Sequence, residues 1–97
     1  MDYTSVDKRV VRINFIEYLK AHYDYSRPDI MASNVFYAYN NNIGMEFWSI
    51  FECESNMENG RALLIKKFTE VGRKDPIGHS NVVFGCWVKF KEFLDRS

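Results

Sequence analysis

The residues best suited to a chemical task gather around one junction late in the chain. They are Lys66, Lys67, Arg73, Lys74, His79, Ser80 and Asn81. Lysine and arginine contact phosphate oxygens, and free backbone amides at the start of a helix can hold the same group. These residue types therefore suit contacts to a DNA backbone, and Lys89 and Lys91 extend the basic set. The alternative interpretation is a solvated turn with ordinary helix caps.

Charge is segregated along the chain although the total is neutral. The 97 residues carry 13 bases and 13 acids, which argues against strong nonspecific binding to nucleic acid. Residues 28–60 contain five acids and no Lys or Arg, whereas residues 61–91 contain seven bases and two acids. This division can steer an anionic partner to one face, but the two halves can equally attract each other within the fold.

No arrangement of residues in the sequence indicates catalysis or a metal site. His22 and His79 lie 57 residues apart, and neither a GxSxG nucleophile motif nor a phosphate-binding loop is present. Glu52 and Glu54 are separated by a single residue, and we expect them to belong to a solvated face. We expect no enzyme, no cofactor, no metal and no small-molecule substrate. His79 is expected to cap the backbone or to pack against the last helix.

The two cysteines, Cys53 and Cys86, stand 33 residues apart without a CxxC spacing. Zinc binding is therefore not expected. Both cysteines lie in apolar company, and free cysteine is among the most frequently buried residue types. We predict two reduced, packed thiols rather than a disulfide.

Length and composition indicate one globular domain over residues 1–97. Hydrophobic residues make up 46% of the chain and aromatic residues 16%, which is enough for a single modest core. No apolar run approaches the roughly 20 residues that cross a bilayer, and the first residues lack the order of a signal peptide. A cytoplasmic protein without a membrane segment is expected.

The last long segment is the element around which the others are expected to pack. Its apolar residues recur at intervals of three and four and make one broad, aromatic helical face. The face consists of Val83, Cys86, Trp87, Phe90, Phe93 and Leu94. The helix is expected to begin near Gly78, His79 and Ser80, so its free amides would lie at the basic junction.

Capping patterns predict two helices before the middle of the chain. The first covers about residues 6–23 and follows a hydroxyl-to-acid pattern at residues 4–7. The second begins with Ser26 as its N-cap and Pro28 in its first turn, and it ends at the asparagines of residues 40–42. Asparagine ends a helix because its side chain competes for backbone hydrogen bonds.

Residues 45–52 are short and dense in apolar side chains, so their length does not distinguish a helix from a strand. We favour a short buried helix, because a lone strand would have no partner with which to pair. Trp48 and Phe51 are expected to pack against the last helix.

Residues 55–71 predict the remaining helix, with Gly72 as its C-terminal cap. Gly60 lies within this segment at a cost of about 1 kcal/mol in helix propensity, which indicates close packing or fraying there. The prediction is an all-α, single compact bundle of four to five helices.

Six short motifs together resemble those of a known helical domain. In chain order they are Phe15-Ile16-Glu17-Tyr18-Leu19, Tyr25-Ser26-Arg27-Pro28, residues 40–44, Phe47-Trp48-Ser49-Ile50-Phe51, Gly78-His79-Ser80 and Lys89-Phe90-Lys91-Glu92-Phe93-Leu94. The order is similar to that of the SAM-like core-binding domain of phage integrases and other tyrosine recombinases, and to the related helical accessory domain of restriction-type and helicase-type proteins. In recombinases this domain grips duplex DNA as half of a clamp, and a separate domain carries the catalytic residues.

Two functions are therefore open. The first is a non-catalytic DNA-binding or DNA-associated accessory module that contacts the duplex backbone through a basic face near residues 61–91. Its predicted contact residues are Lys66, Lys67, Arg73, Lys74, His79, Ser80, Asn81, Lys89 and Lys91. The alternative is a small phage or mobile-element protein that docks on a larger protein partner through the acidic, aromatic region at residues 37–54.

Overall fold

Five α-helices and no β-strand make up the part of the chain that the computed structural model describes, residues 6–96. The helices are α1 (Lys8–His22), α2 (Pro28–Asn40), α3 (Phe47–Ile50), α4 (Glu54–Glu70) and α5 (Pro76–Asp95). The predicted all-α class is confirmed, including the short helix that was ambiguous in the sequence. Within these residues, no helix is long and apolar enough to cross a membrane.

The last helix, α5, is the centre of the packing, as its broad apolar face predicts. It contacts α1, α2 and α4, and Trp87 and Phe90 on its buried face are fully enclosed. The Phe51 ring lies 5.9 Å from that of Trp87, and the Trp48 ring lies 6.2 Å from that of Phe90. Phe15 of α1 meets Phe90 edge to face at 5.1 Å. The predicted packing of Trp48 and Phe51 against α5 is confirmed.

The starts of α1, α2 and α4 differ from the sequence prediction, and the start of α5 is described with the candidate site. Asp7 itself caps α1, since its carboxylate accepts a hydrogen bond from the Arg9 amide at 2.8 Å. The other residues of that predicted pattern, 4 and 5, lie outside the described residues. Arg27, and not Ser26, is the N-cap of α2, because Pro28 occupies the first helical position. The start of α4 is also one residue earlier than predicted.

The cysteines occupy different environments. Cys86 is buried in α5, as predicted, but Cys53 is exposed at the N-cap of α4. The prediction of a packed Cys53 is wrong because the apolar residues before it belong to α3, and the chain turns outward between the two helices. Both thiols are free, and the Cys53 sulfur lies 3.2 Å from the Ser55 hydroxyl oxygen.

Gly60 allows α4 to approach α5 closely. A Cβ atom built on Gly60 would lie only 3.0 Å from Cζ3 of Trp87 and 3.5 Å from Cγ2 of Ile50. The residue is buried in the helix interior. Of the two interpretations of this glycine, close packing is confirmed and fraying is not.

Candidate functional site

Four predicted bases lie together where α4 ends and the chain turns into α5. We call this set, Lys66, Lys67, Arg73 and Lys74, the basic corner. Gly72 adopts a φ of 79°, and the amide of Arg73 donates to the Phe68 carbonyl at 2.9 Å while the amide of Gly72 donates to that of Thr69 at 3.2 Å. This pair of bonds is the Schellman arrangement that ends a helix at glycine. It confirms Gly72 as the cap and fixes the backbone from which Arg73 projects.

Aromatic rings hold the Arg73 guanidinium in place. Its central carbon lies 5.2 Å from the centre of the Phe68 ring and 5.9 Å from that of Tyr37. The His79 ring stacks on Phe68 at 4.3 Å, with an angle of 8° between the two planes. The attraction between a cation and an aromatic ring at these distances does not use the N–H groups as hydrogen-bond donors. Arg73 is therefore oriented without having its donors consumed.

The basic corner is distinguished by bases that lack acceptors. Eight other bases form hydrogen bonds or ion pairs, namely Lys8, Arg9, Arg12, Lys20, Arg27, Arg61, Lys89 and Lys91. Within residues 6–96, the side chains of the four bases of the corner form no hydrogen bond and no ion pair. Arg96 is the one further base of which this is true. Residues 66–75 hold four bases against two acids, so the local charge is positive.

A depression of about 240 Å³ opens beside the basic corner, between α4 and the loop that follows α2. Lys66, Lys67 and Glu70 line its α4 side, and Asn42 and Gly44 line the other. The Gly44 amide donates to the Asn42 side chain at 2.8 Å, which orders that loop. The depression is small, Ile43 and Leu63 form its apolar part, and its two lysines offer positive charge to an anionic group.

The start of α5 corrects the sequence interpretation of this junction. The helix begins at Pro76 with Asp75 as its N-cap, so His79 lies within the helix and not at its mouth. The Asp75 carboxylate accepts from the Gly78 amide at 3.0 Å, and the Asp75 carbonyl accepts from the His79 amide at 2.9 Å. Aspartate followed by proline is a favoured helix start. The Gly78 amide is therefore already bonded to a carboxylate that would repel phosphate, and the His79 amide to a backbone carbonyl.

Two of the predicted contact residues at this junction, Ser80 and Asn81, are not free to bind a ligand. Ser80 is fully buried, so its hydroxyl does not reach the surface, and the prediction that it contacts a ligand is wrong. That hydroxyl has no hydrogen-bond partner in the part of the chain that the structure describes. Asn81 is exposed, and its side-chain oxygen accepts a hydrogen bond from the Arg61 guanidinium.

The remaining two bases lie at the other end of α5. Lys89 is ten residues beyond His79, which is roughly 15 Å along a helix. Its ammonium group donates to the Tyr23 hydroxyl at 3.3 Å and lies 4.4 Å from the centre of that ring. Lys91 pairs with Asp95 at 3.2 Å. The predicted site is thus divided: seven of its nine residues lie near the turn between α4 and α5, and of these Ser80 is buried and Asn81 binds Arg61.

A polar cluster at that other end was not predicted. The hydroxyls of Tyr18 and Tyr23 both donate to Glu92, at 2.7 and 2.5 Å. These hydrogen bonds lower the pKa of Glu92, while burial and the bond to Glu92 raise the pKa of Tyr18 to about 12. The partners lie 69 and 74 residues apart in sequence, so no local motif identifies them. The cluster ties the end of α1 to α5.

The acidic, aromatic region of the alternative prediction has little aromatic surface. Phe47 and Phe51 are buried, and Tyr37 and Trp48 are half-buried against the core. Tyr39 is the exposed aromatic side chain there, at 46%. Glu46, Glu52 and Glu54 do lie at the surface.

Comparison with known proteins gives no relative: no family model, no curated protein and no solved structure matches the chain. The resemblance to the core-binding domain of recombinases thus stays a prediction. Residues 6–96 also contain no group of three or more His, Cys, Asp or Glu side chains placed to hold a metal ion.

Proposed function

We propose that the chain is a non-catalytic module that contacts the phosphate backbone of duplex DNA through the basic corner. The observation that supports this proposal is the concentration of unpaired bases at one turn, with Arg73 oriented by Phe68 and Tyr37. In this proposal His79 supports Arg73 through the ring that they share, and Lys89 and Lys91 take no part. The resemblance to recombinase core-binding domains agrees with this function but rests on packing residues.

Contacts of this kind position a protein on DNA without reading its sequence, because phosphates are the same at every base pair. Four bases allow up to about four phosphate contacts, and each contact contributes about −0.9 to the slope of log affinity against log salt concentration. The module is therefore expected to bind weakly, with a strong dependence on salt and little preference for sequence.

The test is binding of the whole chain to a fluorescein-labelled DNA duplex of about 20 base pairs, followed by anisotropy between about 50 and 200 mM salt. The double variant Arg73→Ala/Lys74→Ala is expected to bind more weakly and to lower the salt slope by up to about two contacts. Both side chains are exposed in a turn, so the variant should keep its fold.

The matched control is Arg9→Ala/Arg27→Ala, which removes the same charge from two exposed bases that already pair with Asp7 and Asp29. This control should retain most of the wild-type affinity. Absence of binding at the lowest salt, or an equal loss in both double variants, would refute the proposal.

A further inference from the structure

An apolar groove lies at the end of the α4–α5 pair that is opposite to the basic corner. Its volume is about 620 Å³, and it runs between the start of α4 and the second half of α5. Met57, Phe84 and Val88 contribute its apolar lining, and Val88 is 45% exposed. The lining residues of α5 extend from Phe84 to Arg96, which is roughly 18 Å along a helix. The groove therefore has the length of about three helical turns.

The α4 rim of this groove carries negative charge that the protein leaves uncompensated. Glu54 and Glu58 are four residues apart, so they lie on the same side of α4. Glu54 has no ion pair or hydrogen bond to its side chain within residues 6–96. Glu58 has one contact, to Arg61 at 3.7 Å, and its own side chain is 60% exposed. An ion pair this exposed has a small interaction free energy, so it leaves the Glu58 carboxylate available to a partner.

The α5 rim carries two acids and two bases. Lys91 pairs with Asp95, and Glu92 accepts hydrogen bonds from two tyrosine hydroxyls. Arg96 also lines the groove; it lies 6.0 Å from the centre of the Tyr18 ring and forms no ion pair within residues 6–96. With Glu54 and Glu58, the lining of the groove therefore has four acids against two bases, and this net negative charge disfavours nucleic acid and anionic membrane surfaces.

We infer that this groove is a docking site for a basic amphipathic helix of a protein partner. Apolar side chains at helical spacing would lie on Met57, Phe84 and Val88, and Lys or Arg side chains on the flank would face Glu54 and Glu58. An amphipathic helix that places its apolar face in a groove is a recurrent mode of peptide recognition. This inference does not depend on the proposed DNA contact, because it uses none of the residues of the basic corner.

The experiment uses the whole chain and a labelled 14-residue helical peptide with Leu on one face and Lys on the remainder. Anisotropy is expected to show binding of this peptide and much weaker binding of the same peptide with Glu in place of Lys. The variant Glu54→Lys/Glu58→Lys should lose about tenfold in affinity for the Lys peptide and gain affinity for the Glu peptide, because two exposed attractions become repulsions.

The matched control is Glu17→Lys/Glu70→Lys, which makes the same change in charge on exposed residues outside the groove. It should bind the Lys peptide nearly as wild type does. A second variant, Val88→Ser, tests the apolar lining without altering charge, and it should also lower the affinity for the Lys peptide. The Met57 methyl resonance should shift when the peptide binds.

Equal binding of the Lys and Glu peptides, equal losses in the groove and control variants, or an unshifted Met57 methyl would overturn the inference. Self-association of the chain that Val88→Ser abolishes would also overturn it, since a second copy would then be the occupant. Arg73→Ala/Lys74→Ala should bind the Lys peptide normally, which separates this result from the outcome of the DNA experiment.

Discussion

Two glycines in helix interiors should respond to alanine in opposite directions. Gly60 faces the core, where a new Cβ would lie 3.0 Å from Cζ3 and 3.2 Å from Cη2 of Trp87. Gly85 in α5 is exposed, and apart from its chain neighbours and the nearby backbone of its own helix no atom lies within 4 Å of the same position. Alanine raises helix propensity by about 1 kcal/mol at either site. The difference between the two variants therefore measures the packing at Gly60.

The Trp87 ring has little room to yield. It is fully buried, and the ring of Phe51 stands edge to face with it at 5.9 Å. Forcing an additional carbon into a packed core costs about 1 to 3 kcal/mol. After the gain in helix propensity, Gly60→Ala should lower the free energy of unfolding by about 1 kcal/mol. Gly85→Ala should raise it by about 0.5 to 1 kcal/mol.

Urea unfolding followed by circular dichroism measures both values, and the melting temperature should move by about 4 to 8 °C per kcal/mol in a domain of this size. The double variant Gly60→Ala/Trp87→Phe tests the cause, because a smaller ring should relieve part of the penalty from the alanine. If Gly60→Ala is as stable as Gly85→Ala, the ring moves aside easily and the reasoning about close packing fails.

Two further predictions concern thiol reactivity and pH. The Ser55 hydroxyl and nearby backbone amides lower the pKa of the exposed Cys53 thiol, whereas burial raises the pKa of Cys86, so a thiol reagent should modify Cys53 rapidly and Cys86 only after denaturation. Two fast thiols in the native protein, or none, would contradict this. Because the pKa of Glu92 is lower in the folded state, its contribution to stability is present above the ordinary pKa and is lost as the pH falls through the folded value. Wild type should therefore lose stability more steeply than Glu92→Gln between about pH 5 and pH 3, and parallel curves for the two proteins would refute the role of the tyrosine hydroxyls.

Local signals predicted the helices well and the site only in part. The face of α5 could be predicted because apolar residues repeat at helical spacing over many turns, and Gly72 could be predicted because a helix cap involves only its neighbours. The predicted start of α5 near Gly78 is wrong because Asp75 and Pro76 already form a helix cap and first turn. Cys53 was misplaced because burial depends on which way the chain turns after α3.

The division of the predicted site has the same origin. Lys74 and Lys89 are near in sequence, but α5 lies between them and places Lys89 towards its other end. Glu92 meets Tyr18 only after α1 and α5 pack together. Properties that depend on such distant pairs, including the groove and the acid–tyrosine cluster, follow from the packing of helices and not from any local pattern.

The central position of α5 also affects how the chain folds during synthesis. Helices α1, α2 and α4 all pack against α5, which is the last of the five helices to be translated. Until Trp87 and Phe90 have left the ribosome, Phe15 and Phe51 lack the rings that enclose them. Until then the first four helices expose the apolar surface that α5 later covers. Nascent chains with exposed apolar surface bind chaperones or aggregate.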